Sequence, residues 1–287
     1  MTLIQTYFTQ DRVIQVSDRR LTRADGTKFD DNHTKLVFWH GCFTVGFTGL
    51  AFINPAQTKS TSEWIAETLC DYTNFERGVV GLCAEAEKRI RLLSNRWDKR
   101  LCIVVAGFDF RRNPLAAQIA NYGPPNTDLN TFAWRTGGRA PGRADGYLTV
   151  GAAMEPWQHR VLGRSLRRVI RQPDGINHAI RLMVGLQRKV AQTDPTVGAG
   201  ALCATIPRER STPFGPGSMM SNLGAAEVGE KGCQFVYFAE DGFNHQVFGP
   251  HSADHGAALG GWFMKADPSN LNNQSVSVQM LKWPSPK

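Results

Sequence analysis

TLIQTYFTQDRVIQVSDRRLTRADGTKFDDNHTKLVFWHGCFTVGFTGL, residues 2–50, is the stretch on which the fold turns. It reads as a run of strands: TLIQTYFT, RVIQVS, KLVFW and CFTVGFTG, rich in β-branched and aromatic residues. Thr9-Gln10-Asp11 and His40-Gly41 are short enough to turn one strand directly back on the next, so two antiparallel hairpins are expected, opening the fold as one antiparallel sheet. Between them RRLTRADGTKFDDNH is polar, with Asp25-Gly26 as a turn signal.

Beyond this stretch the period changes. Trp64, Ile65, Thr68 and Leu69, then Val79, Leu82, Ala86, Ile90 and Leu93, recur at helical spacing behind a Ser/Thr cluster at residues 60–62 that suits a helix start. LCIVVAGFDF, a turn at Arg111-Arg112-Asn113-Pro114 and LAAQIANY form a further hairpin. Residues 123–146, rich in Gly, Pro and polar side chains, read as an insertion loop. Helices are expected over about 154–171 and 176–192, separated by Pro173-Asp174-Gly175, and the strand GALCATI follows. The order of strands, two helices, strands, two helices, strands implies an α+β fold with two sheets between two helical layers. After residue 206 a C-terminal extension, 207–287, holds a loop, a hairpin over 233–249 around Asp241-Gly242, and a polar tail from about Ala266.

Bulk properties narrow the function classes. The chain has 287 residues, 41% hydrophobic and 20% charged, enough to bury a sizeable core. No apolar run approaches the roughly 18 residues that span a bilayer, and MTLIQTYFTQDR lacks a signal-peptide pattern, which places the expectation in the cytoplasm with no membrane partner. The six cysteines are scattered inside apolar segments without ligand spacing, and the seven histidines form no HExxH pattern, so neither metal nor other cofactor is expected. Ser252, Asp254 and His255 lie close in sequence but lack a nucleophile-elbow context. The net charge of +8 concentrates in HRVLGRSLRRVIRQ and EKRIRLLSNRWDKR, where arginines punctuate an apolar stripe; solvated faces or subunit contacts are expected rather than nucleic acid.

The chemistry is carried by a few residues of the opening stretch. Thr2 directly follows Met1, and if Met1 is removed its free α-amine, with a pKa of about 7.7–8.0, becomes a general base tethered to the Thr hydroxyl. Asp18 closes the second strand, Lys35 opens the third and Gly49 ends the fourth. Pairing of short hairpins brings strand ends together, so an amine, a carboxylate, an ammonium and a glycine amide are expected to converge at one edge.

On Thr2, SDRR at 17–20, Lys35 and TVGFTGL at 44–50, the segment resembles the opening of a proteasome β-type subunit, of a bacterial-type homologue in the N-terminal-nucleophile hydrolase superfamily. The likeness extends more loosely to residue 206 through the LCIVVAGFDF/LAAQIANY hairpin, the later helix pair and DPTVGAGAL. It implies a four-layer αββα sandwich and a threonine peptidase. Thr2 Oγ attacks the scissile carbonyl and its own α-amine takes the proton. Lys35, held by Asp18, favours the alkoxide. The Gly49 N–H meets the oxyanion, a contribution of roughly 3–4 kcal/mol in comparable sites, and Arg20 braces Asp18. Asp194 matches the family aspartate near the fourth helix. The family's two supporting serines are replaced, by Gly151 and Val197. Strand alternation and the resemblance together put His33, Phe47 and Leu21 around the first specificity pocket.

The resemblance implies peptide or unfolded-protein substrates, a homo-oligomeric ring and an unspecified ATPase partner. Two other readings stand beside it: an inactive or scaffolding member of the fold that retains Met1, and an N-terminal-nucleophile amidohydrolase of small amides.

Overall fold

The computed structural model describes residues 2–208, apart from 24, 32, 40–42, 70–71, 73–74, 110, 124–127, 138–144 and 153, and beyond them 234–238, 240, 242, 245–248, 262–266 and 276–280. Met1, the His40-Gly41 turn, Cys42, Cys70, Cys233, Asp241 and the Ser252/Asp254/His255 cluster lie outside the described residues.

The opening stretch gives β1 (Leu3–Phe8), β2 (Arg12–Asp18), β3 (Leu21–Thr22), β4 (Lys28–Asp30), β5 (Leu36–Trp39) and β6 (Phe43–Gly49). Then come α1 (Thr61–Leu69), α2 (Phe75–Arg91), β7 (Leu101–Phe108), β8 (Pro114–Ala120), β9 (Ala133–Gly137), β10 (Gly146–Gly151), α3 (Pro156–Val169), α4 (Gly175–Thr193) and β11 (Ala201–Pro207). The last described strands are β12 (Gln234–Phe238), β13 (His245–Phe248), β14 (Trp262–Ala266) and β15 (Val276–Met280). The start of α1 is closed as its Ser/Thr cluster suggests: the Ser60 N–H donates to the Glu63 carboxylate at 2.8 Å and the Glu63 N–H to Ser60 Oγ at 3.2 Å.

The two opening hairpins do form, but in different sheets. β1 and β2 belong to a six-stranded sheet of order β10-β1-β2-β11-β12-β13, and β5 and β6 to a five-stranded sheet of order β5-β6-β7-β8-β9. The polar segment between the hairpins folds as the small β3-β4 ribbon and carries the chain across. Every residue of β1 and β2 is buried, because these strands are covered on both faces. On one face Tyr7, Ile14, Val16, Ala201 and Cys203 pack with Leu162 and Leu166 of α3 and Ile180 and Met183 of α4. On the other, Phe8, Val13, Leu202 and Ala204 meet Leu36, Ala106 and Phe108 of the five-stranded sheet. That sheet turns Val37, Val45, Phe47, Ile103 and Val105 towards Trp64, Ile65, Leu82 and Ile90 of α1 and α2.

Two expectations are corrected and one strand is added. Residues 123–146 are not all loop: AWRTG forms β9, an edge strand paired with β8, and its polar composition reflects an outer face on which Trp134 is half exposed. GYLTVG, unassigned by periodicity, forms β10 along the free side of β1, with Leu3 opposite Gly151. The tail beyond Ala266 contains β15, which pairs antiparallel with β14 as the alternation in VSVQM permits. Within 233–249 the described strands β12 and β13 pair antiparallel, and β12 joins β11.

Candidate active site

Of the four groups expected to meet, those of Thr2, Asp18 and Lys35 come together at strand ends. Thr2 precedes β1, Asp18 is the last residue of β2, and Lys35 precedes β5. Because β5 belongs to the other sheet, they converge across the intersheet space and not along one sheet edge. Lys35 Nζ donates to Thr2 Oγ at 2.6 Å, to Asp18 Oδ2 at 3.1 Å and to the Arg20 carbonyl. All three side chains are shut away from water: Thr2 is 4%, Asp18 0% and Lys35 2% exposed.

A buried carboxylate needs its acceptor sites filled, and Asp18 fills them. Its Oδ1 accepts the Leu3 N–H at 3.0 Å, and its Oδ2 accepts the N–H groups of Arg20 at 3.0 Å and Gly198 at 3.1 Å besides the ammonium. This is close to the roughly four lone-pair sites a carboxylate offers. Burial pulls Lys35 below the usual lysine range, opposed by the Asp18 charge and hydrogen bond. Asp18 thus ties β1, β2, the loop before β11 and the lysine into one unit, which fixes the ammonium against the Thr2 hydroxyl.

Arg20 acts at one remove. Its backbone carbonyl meets Lys35, while its side chain pairs with Asp31 at 2.6 Å and reaches the carbonyls of Pro195 at 3.2 Å and Val197 at 3.4 Å. The arginine therefore braces the loop whose Gly198 amide holds Asp18. The Asp194 carboxylate accepts the N–H and hydroxyl of Thr196, at 2.9 and 2.5 Å, closing the turn after α4. Val197 lies in an apolar cluster with Leu3, Ala152 and Val190.

Gly49 stands exposed at the end of β6 with φ +101°, where an added Cβ would lie 2.0 Å from the Arg100 carbonyl oxygen. It follows Thr48, a residue that sequence reasoning passed over. Thr48 is 2% exposed, and its Oγ1 accepts the Thr2 N–H at 3.1 Å. The signal was available, since alternation along TVGFTG sends Thr48 to the face opposite Phe47. Gly151, which stands where the family has a serine, also lies against Thr2. It has φ +100°, its Cβ would fall 1.7 Å from the Thr2 carbonyl oxygen, and the neighbouring Ala152 N–H donates to that oxygen at 2.9 Å.

Of the three residues assigned to a pocket, Phe47 is 1% exposed within the cluster under α1 and α2, and Leu21 is buried on β3. The His33 ring meets Phe47 edge-on at 6.4 Å between centroids and Phe52 at 5.8 Å. Among the described residues no group of three or more His, Cys, Asp or Glu is placed to hold a metal, and no helix is long and apolar enough to cross a membrane. Cys102 and Cys203 are buried free thiols, and burial pushes Cys102 up to about 12.

No protein-family model and no curated protein matches the chain. Solved structures do. The chain is similar to the Gly-1 mutant of Anbu from Hyphomicrobium sp. strain MC1, with TM-score 0.51 and 15% identity over 75% of this chain and 86% of that one. It is also similar to Anbu, described as an ancestral beta-subunit, from Yersinia bercovieri, with TM-score 0.52 and 14% identity over 73% and 84%. At such identity the likeness concerns the fold alone, and that fold is α+β.

Proposed function

We propose that the chain is an N-terminal-threonine peptidase on a four-layer αββα sandwich, with Thr2 as nucleophile after removal of Met1. The observation that carries this reading is the Lys35 ammonium 2.6 Å from Thr2 Oγ, anchored by a fully buried Asp18. A cation fixed there in a dry setting favours the alkoxide without having to reorganise.

In the proposed reaction Thr2 Oγ attacks the scissile carbonyl carbon while the Thr2 α-amine takes the hydroxyl proton. The oxyanion lies against the Gly49 N–H. The amine returns its proton to the departing amine as the C–N bond breaks, and water then hydrolyses the ester on Oγ. Thr48 Oγ1, which accepts from the Thr2 nitrogen, holds the α-amine in place of the two serines absent from this chain. Peptide or unfolded-protein substrates, a pocket bounded by His33, Phe47 and Leu21, and a homo-oligomeric ring complete the reading.

A second reading, a scaffold that keeps Met1, is favoured by one specific observation: Gly151 and Val197 offer no hydroxyl near Thr2. Intact mass of the native protein, followed by treatment with a peptide boronate and mapping of the adduct, separates the two. Loss of one Met and a boronate ester on Thr2 support the peptidase. Full-length mass with no adduct supports the scaffold.

A further inference from the structure

The second helix pair is unusually one-sided in charge. Residues 156–193, which span α3 and α4, carry Arg160, Arg164, Arg167, Arg168, Arg171, Arg181, Arg188 and Lys189 against Asp174 as the sole acidic residue. Most of the chain's net charge of +8 therefore sits on this one pair, and the proposed hydrolysis makes no use of it.

Part of that charge surrounds a concavity. Between α3 and β10 lies a cavity of ≈ 480 Å³ lined by Asp145, Tyr147, His159, Arg160, Arg164 and Arg167, with Gly146 and Gly163 in its wall. Arg167 lies back along the helix, where its Nε donates to the Gly163 carbonyl at 3.0 Å and stands 3.6 Å from Asp145 Oδ2. The same carboxylate oxygen takes the Tyr7 hydroxyl at 3.5 Å, so Asp145 is already engaged. Arg160 and Arg164 are exposed, one turn apart on the same helix face, and neither has an ion-pair or hydrogen-bond partner among the described residues. The His159 and Tyr147 rings meet at 4.9 Å between centroids, tilted by 42°, and form an aromatic wall beside them.

We propose that this cavity binds a phosphomonoester, its phosphate held by Arg160 and Arg164 and its organic part against His159 and Tyr147. Guanidinium groups meet phosphate oxygens in a planar, paired geometry that a point charge cannot match. The fixed Arg167 adds positive field without having to be ordered on binding. A volume of ≈ 480 Å³ exceeds a lone phosphate and lies within the range of roughly 300–1,000 Å³ typical of small-ligand sites. The inference does not rest on the peptidase reading, because it involves neither Thr2 nor its partners.

The test is calorimetric titration of the full chain at fixed ionic strength with inorganic phosphate, phenyl phosphate and a generic DNA duplex. Phenyl phosphate should bind saturably at one site per chain and more tightly than inorganic phosphate. Arg160→Gln with Arg164→Gln should weaken it at least ~10-fold. Arg89→Gln with Arg181→Gln, which removes the same charge elsewhere, should leave it unchanged. Absence of saturable binding overturns the proposal, as does an equal loss in the control pair. Stronger binding of the duplex that both pairs reduce alike overturns it in favour of a diffuse polyanion surface. A phosphopeptide that binds no better than phenyl phosphate identifies a free phosphoester as the source, and one that binds more tightly identifies a phosphorylated polypeptide; both uphold the site.

Discussion

The Thr2 backbone nitrogen and the Thr48 hydroxyl are 3.1 Å apart, both buried, and they join the start of the first sheet to the end of a strand in the second. Thr48→Val keeps the shape and removes the acceptor, leaving a buried N–H group unmet at a cost of about 1–3 kcal/mol. In the peptidase reading the same change frees the α-amine to turn away from Oγ. Turnover of fluorogenic peptides should fall by about tenfold or more, within the range expected when a general base is mispositioned. Thr48→Ser should restore both stability and turnover. Equal activity of the Val and Ser variants removes Thr48 from the mechanism.

Gly151 explains one of the two serines that this chain lacks. At φ +100°, with the Thr2 carbonyl where a Cβ would stand, the position excludes any side chain. Gly151→Ser, which writes the family's residue back in, should therefore damage the protein. Positive-φ strain alone costs about 1–3 kcal/mol, and displacement of Thr2 adds to it. Urea unfolding alongside peptide hydrolysis checks this, and a Gly151→Ser variant that is as stable as the wild type and more active contradicts it.

Burial lowers the Lys35 pKa in the folded state below its ordinary 10.5. Below the lowered value, folded and unfolded chains both hold the proton. Between that value and 10.5 only the unfolded chain does, so this group's contribution to stability rises with pH across the window and levels off above it. Tyr7 and Cys102, which burial pushes up, act in the opposite sense at high pH, so the measurement must be a difference. Unfolding free energy of the wild type minus that of Lys35→Met should increase as pH rises through the window below 10.5. A difference that falls instead means the Asp18 pair outweighs burial. Lys35→Met should also abolish hydrolysis, since Thr2 Oγ loses the cation beside it.

Much of this was legible because strand ends carry both the pattern and the chemistry. Alternating runs fixed β1, β2, β5 and β6, and the residues at their ends, Asp18, Lys35 and Gly49, were already the candidates. What was hidden depends on contacts between sheets. Nothing in VSDRR or TKLVFW says that the two hairpins lie in different sheets, because β1, β2 and nearly all of β6 are buried alike. β10 was missed because GYLTVG borders a Gly- and Pro-rich run and pairs with β1 from a distance of more than a hundred residues. The Asp194 contact was hidden for a different reason: an aspartate two residues before a threonine can bond it locally, and here the carboxylate accepts from Thr196.

Phe47 offers the sharpest test of the specificity reading, since it belongs at once to the core under α1 and α2 and to the contact with His33. Its 1% exposure and its neighbours in that cluster predict that Phe47→Ala costs about 3–5 kcal/mol, as the loss of a buried ring does. Such a variant is too damaged to report on substrate choice. Phe47→Leu is the informative change: it keeps an apolar side chain, should cost under about 1.5 kcal/mol, and shortens the ring edge that faces His33. If Phe47 closes the floor of the pocket next to Thr2, the wild type should prefer small or medium neutral side chains before the cleaved bond. The leucine variant should then gain on larger ones by about 1–3 kcal/mol of discrimination, or roughly 10- to 200-fold. His33→Ala, on the partly exposed side of the same contact, should shift the profile in the same direction with a smaller loss of stability. A peptide-library profile and a melting curve on each variant decide the matter. Leucine and alanine variants that lose stability in the expected order while the profile stays that of the wild type make Phe47 a core residue and nothing more.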